Sequence, residues 1–308
     1  MYSAASVFYN VFNIEVRFNL NIDFIYQKHI DLVFHILAHI KVNNPSDLYS
    51  EPYIEKMSLA IQDDKIFLPQ SVVKYYNQNF NRLGIINFLP FFTQNMEEFI
   101  QLLRDYNGFN ENDNTLFVYS FVDTLIKHSS KYFKFWDKQF DKEKANRLLI
   151  EEILRNKINQ YSFIFDYYKK SAKVWLSFSM TKNGRGIGGI SNSFSVAVPY
   201  PFYIDNLYNT FFTLLHEYTH QFTDTIINAD INMDDGTHDL SENIVFLTDY
   251  YLVKNICSTD VTPYVLWIAP KGDAIIDEDL FLNIFKVPEH IQQRIDKIVE
   301  QLLNSCNL

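Results

Sequence analysis

Residues 216–220 read His216-Glu217-Tyr218-Thr219-His220, two imidazoles four positions apart with a carboxylate beside the first. A helix turns once in 3.6 residues, so positions i and i+4 share a face and both rings can reach one metal ion. Zinc suits such a pair, because imidazole nitrogen is among its preferred ligands. Glu217 stands about 100° round the helix from His216, close enough to address a water beside the metal without ligating it. In a chain with eight histidines the pattern arises by chance about 0.01 times. The spacing predicts one zinc ion (Zn2+) per chain, with His216 and His220 as ligands and Glu217 as general base.

A catalytic zinc takes three protein ligands and keeps a further position open. The next helical stretch offers Glu242, 22 residues beyond His220. Two other readings stand beside it. Asp239-Leu240-Ser241-Glu242 fits a capping box, in which Glu242 folds back on the helix start, and His238 is a second nitrogen ligand in range. His35 and His39 also lie at i, i+4, with Ile36, Leu37 and Ile40 around them, and they read as a helix-face pair without function. His29, His128 and His290 are isolated.

The elements that must position these groups are legible as rhythm. Residues 13–24 alternate apolar and polar, and the same period of two returns at 172–180 and 190–198, predicting three strands. Between the first two, helical patterns fall near 28–41, 46–61, 70–80, 95–106, 113–135 and 141–170, punctuated by Pro and Gly. The motif helix is expected from Asp205 or Asn206 to Ile227, and a second from Asp239 to Ile256. After Pro263 a short extended piece at 264–268 leads to a closing helix at 288–304. Four of the eight glycines fall within 184–189 and satisfy G-x-G-x-x-G. That stretch leads into a strand and not a phosphate-capping helix, so it reads as a flexible hairpin connection between the second and third strands.

The fold class expected is α+β, one unit over residues 1–308. A strand and helical lobe occupy 1–171, and a core carrying the motif helix occupies 172–308. At 47% apolar residues the chain can build a core, and its net charge of −10 argues against a nucleic-acid partner. Two cysteines, Cys257 and Cys306, imply no disulfide framework. No run of 18 apolar residues spans a membrane, and the N-terminus lacks a basic signal-peptide start. A cytoplasmic protein of undetermined oligomeric state is the expectation.

The order of strand, strand, H-E-x-x-H helix and glutamate-bearing helix over residues 172–256 resembles the gluzincin, or thermolysin-like, branch of the zincin metallopeptidases. That resemblance implies a small mixed sheet with an edge strand packed on the motif helix. It also implies His216, His220 and Glu242 as zinc ligands and Glu217 as base. The strand at 190–198 would be the edge strand that binds extended substrate, through Gly189, Ile190, Ser191, Asn192 and Ser193. The implied activity is hydrolysis of a peptide or protein substrate. A zinc-binding interaction module without activity and a hydrolase of a non-peptide amide are the alternatives. The longer metzincin motif is not met, since Thr223 and Ile226 stand at its glycine and third histidine. Thermolysin-like enzymes often orient a histidine with an aspartate four residues past the ligand glutamate. Here that position is Phe246, which leaves Asp224 or Asp249 to serve. Tyr200, Tyr203, Tyr250 and Tyr251 are the tyrosines near enough in sequence to meet a developing oxyanion.

Overall fold

Alternation in the first strand places Ile22 in the core between exposed Asn21 and Asp23 of β1 (Asn21–Ile25). The computed structural model describes residues 21–40, 49–61, 66, 68–162, 164, 171–181, 183–188, 194–230, 237–268 and 277–304. Residues 13–20 of the expected strand lie outside them. β1 pairs in parallel with β2 (Ser171–Ser177), and β2 in parallel with β4 (Phe194–Pro199). A two-residue β3 (Arg185–Gly186) adds antiparallel to the far side of β4, giving the order β1-β2-β4-β3. Parallel neighbours cannot be joined by a tight turn. The chain from β1 to β2 accordingly runs through the helices α1 (Lys28–His39), α2 (Glu51–Ile61), α3 (Gln70–Gln78), α4 (Met96–Asp105), α5 (Tyr119–Lys142) and α6 (Lys144–Gln160).

Two sheet expectations are corrected. The stretch at 184–189 is not a hairpin between the second and third strands, because β2 and β4 run parallel; its described part forms β3 instead. The strand at 190–198 is also not the edge. β4 is interior, and its Ser195 is buried with Val196, Ala197 and Val198.

Beyond the sheet the chain continues into α7 (Leu207–Asp230), which packs on β4, and α8 (Thr237–Ile256), which packs on α7. The piece at 264–268, expected to be extended, is helical in α9 (Val261–Ile268). Pro263 falls in that helix's first turn, where no intrahelical N–H is needed, and Tyr264 is drawn inward to donate to the Phe246 carbonyl at 3.0 Å. α10 (Glu278–Ile284) was not expected. Its N-cap Asp277 accepts from the Leu280 N–H at 2.8 Å. α11 (Glu289–Asn304) is the expected closing helix. Residues 113–118, read as the start of a helix, are helical and run into α5, with a π-helical stretch at Asn114–Val118. Buried side chains of the early helices, the sheet and the later helices form one contiguous cluster. Among the described residues no helix is long and apolar enough to cross a membrane.

Buried polar groups tie these layers together. Asp31 of α1 accepts from Trp136 Nε1 of α5 at 2.6 Å, from Ser179 Oγ at 3.0 Å, and from Ser177 Oγ. Burial pushes its carboxyl above the usual range, while these donors pull it back. Lys157 of α6 pairs with buried Asp260, which also accepts from Tyr161 at 2.8 Å and from Tyr208 of α7 at 3.3 Å. His35 is buried and stacked on Tyr132, and His39 Nδ1 meets its carbonyl at 2.7 Å, so this pair packs within α1.

Asp31→Ala removes the shared acceptor of three buried side-chain donors, and it should cost about 3 kcal/mol of unfolding free energy in urea titration. His35 provides a pH signature. Burial, joined by the fields of His39 and His128, holds its ring down to about 2, against 6.5 when free. The folded chain keeps the ring neutral, so its contribution is intact above pH 6.5 and is lost progressively as pH falls toward 2. Wild type should therefore lose about 1–2 kcal/mol more than His35→Gln on going from pH 7 to pH 5, by urea titration at each pH.

Candidate metal centre

The apolar stripe of α7 decides where its polar groups go. Phe211, Phe212, Leu214, Leu215, Tyr218 and Phe222 are all buried against the sheet and neighbouring helices. The same rotation leaves His216, Glu217 and His220 lining a cavity, closed by Glu242 and Phe246 of α8, Trp267 and Ile268 of α9, and Asn183, Gly184 and Arg185 beside β3. Thr213, one turn before Glu217 on α7, completes that lining.

Three groups converge there. The Nε2 atoms of His216 and His220 lie 3.3 Å apart. Glu242 Oε2 is 3.2 Å from the first and its Oε1 is 3.7 Å from the second. Ligands held at about 2.0–2.1 Å around a tetrahedral zinc ion stand about 3.3–3.4 Å from one another. The triangle thus has the dimensions that a zinc ion requires, and its donor set of two imidazoles and a carboxylate suits that metal. Among the described residues no other group of three His, Cys, Asp or Glu side chains converges this way. Glu242 sits beyond the first turn of α8, so it does not fill the N3 position of a cap at Asp239. The side chains of His238 and Asp239 lie outside the described residues.

One helix surrounds the His216 ring. Glu242, Phe246 and Asp249 fall at i, i+4 and i+7 of α8 and so share a face. Glu242 meets Nε2, Phe246 stacks on the ring at 4.8 Å between centroids, and Asp249 Oδ2 lies 3.4 Å from Nδ1. Asp249 is fully buried, and its Oδ1 meets no donor. A carboxylate kept buried with an unmet oxygen is a costly placement, and this one stands directly behind a candidate ligand ring. Burial opposes a charge on His216, but the bonds to Asp249 and Glu242 and the fields of Asp249 and Glu217 outweigh it and raise the ring to about 10. Three carboxylates around two imidazoles make the pocket acidic, which suits a cation.

Glu217 is held from the other side. The Gly186 N–H donates to its Oε2 at 2.8 Å. Arg185 lies half-buried beside it, with its guanidinium 5.6 Å from the centre of the Phe88 ring and donating to the Gly184 carbonyl at 3.0 Å. Burial lowers the Arg185 pKa, and the field of Glu217 opposes that shift.

Sequence reasoning brought His216, Glu217, His220 and Glu242 to one place, and they are together. The five residues expected to bind substrate, Gly189, Ile190, Ser191, Asn192 and Ser193, lie outside the described residues. None of Tyr200, Tyr203, Tyr250 and Tyr251 lines the cavity; Tyr200 packs on Phe178 and Phe202, and Tyr250 donates to Glu278. Of the two aspartates offered behind the ligands, Asp249 is the one at His216, and the Asp224 side chain lies outside the described residues. Phe246 and the glycines of β3 were not recognised as parts of the site. The i, i+4, i+7 spacing on α8 and the run of four glycines were the available signals. No protein-family model, curated protein or solved structure matches the chain.

Competition with a chromophoric chelator should find about one tightly bound zinc per chain. Glu242→Ala should weaken it more than Asp249→Ala does, and Asp249→Ala by about 10–100-fold. If Glu242 acted only as a cap, its removal would cost about 0.5–2 kcal/mol of stability and leave zinc affinity unchanged.

Proposed function

We propose that the chain is a zinc-dependent metallopeptidase with a zincin-like core, acting on peptide or protein substrates. One observation carries this reading: His216, His220 and Glu242 form a triangle of zinc dimensions, with Glu217 beside it in the same cavity. Among the described residues three protein groups converge, the number of ligands that a catalytic zinc site takes, and this favours hydrolysis over a structural role. A purely structural centre also has no use for a carboxylate at position 217.

Zinc held there supplies a Lewis acid that lowers the pKa of a neighbouring water from 15.7 to about 7 and polarises a carbonyl. Glu217 takes the proton from the attacking water and returns it to the leaving amine. Asp249 Oδ2, 3.4 Å from His216 Nδ1, favours the tautomer with its proton on that nitrogen and leaves Nε2 to face the cavity. Phe246 and Trp267 pack against that ring and exclude water from one side of it.

Glu217→Gln preserves size and shape but removes the base. The variant should retain zinc and its melting temperature while hydrolysis of a library-selected peptide falls about 10²–10⁴-fold. Equal cleavage by the variant and wild type would overturn the mechanism.

A further inference from the structure

The ladder between β3 and β4 leaves one backbone donor facing away from the sheet. Arg185 pairs with Ala197, and the Ile187 N–H donates to the Ser195 carbonyl at 2.8 Å. In an antiparallel pair the residue between two such partners turns its own N–H and C=O outward. That residue is Gly186, and its outward N–H is the one bonded to Glu217 Oε2 at 2.8 Å.

Gly184 meets Glu217 differently. A methyl group at Gly184 would stand 2.6 Å from Glu217 Cγ, 2.8 Å from Thr213 Cγ2 and 3.0 Å from Glu217 Oε1. Such separations are far inside contact distance, and one of the obstructing atoms lies mid-chain in Glu217, not at a free tip. A methyl group at Gly186 would come no nearer than 3.5 Å to Glu217 Oε2, an ordinary contact. The two glycines therefore do separate things. Gly184 is bare so that the chain can lie directly on the Glu217 side chain, and Gly186 supplies an N–H.

We infer that Gly184 and Gly186 form a strap that positions the Glu217 carboxylate, one by close packing and the other by a hydrogen bond. The inference rests on reading Glu217 as the general base. Oε2 is tethered and Cγ is wedged beneath Gly184, so the carboxylate keeps a single orientation and Oε1 remains to accept a proton. A proton acceptor displaced by about 1 Å can lose about 10²-fold in rate. The glycine run is thus a device for holding a base and not a nucleotide loop or a slack connection.

The test compares Gly184→Ala with Gly188→Ala in the zinc-loaded protein, since a methyl group at Gly188 would meet no atom within 4 Å. Gly184→Ala should lower kcat by about 10²-fold with zinc content and KM unchanged, whereas Gly188→Ala should keep nearly all of the wild-type kcat. Equal kcat in the two variants would overturn the proposal, and so would a loss seen only in KM. A second measurement needs no substrate. In a Thr213→Ser background, which removes the competing methyl, Gly184→Ala should lower the melting temperature by several degrees. Adding Glu217→Ala should abolish that loss, because the obstructing Cγ is gone. A loss that persists without the Glu217 side chain would sink the proposal, including where Gly184→Ala alone fails to fold. If wild-type protein cleaves no peptide, the peptidase reading fails while the melting cycle still decides whether the strap holds Glu217.

Discussion

Everything at this centre depends on how one helix grips the imidazole of His216. α8 presents a carboxylate to Nε2, a phenyl face to the ring plane and a second carboxylate to Nδ1, from three residues along a single face. A ring held on both nitrogens and one face has little rotational freedom. The same three contacts also set the register of α8 against α7, since sliding either helix by one turn, about 5.4 Å, would break all of them together. Site geometry and helix packing are one constraint here.

That constraint holds only if α7 itself is fixed, and buried polar pairs do this from outside the cavity. Lys157 and Asp260 tie α6 to the turn before α9, and Tyr208 joins them from the start of α7. Asp31 gathers donors from α5 and from the end of β2, anchoring the helical lobe to the sheet on which α7 rests. Such groups are expensive to bury and strongly directional once satisfied, so they favour one arrangement of layers over near alternatives. A metal centre needs that, because ligands displaced by more than about half an ångström no longer fit one coordination sphere.

The opposite wall works by proximity instead of charge. The backbone of β3 comes so near Glu217 that only glycine fits at 184, and the edge of the sheet donates a hydrogen bond to the carboxylate. Glu217 therefore sits between a helix that carries it and a strand that limits its movement. The candidate ligands are held between α7 and α8, while the Glu217 carboxylate, carried on the same α7, is restrained in addition by the backbone at and beside β3.

The sequence alone determined which chemistry is available. His216, Glu217 and His220 are neighbours on one helix, and helical spacing by itself places them together. Alternation and apolar periodicity likewise located β2, β4, α7 and α8, because burial of one face imprints a period that no distant residue is needed to read. What lay beyond local spacing was open. Glu242 had three readings, and the choice depended on where α8 begins and how it lies on α7. Asp249 and Asp224 were equivalent until packing put Asp249 behind the ring. The direction of β4 relative to β2, its interior place and the helical state of residues 264–268 are settled by partners far away in the chain. The glycine run shows the limit most plainly. Its composition announced a special backbone, but only the tertiary structure showed that the special requirement was contact with Glu217.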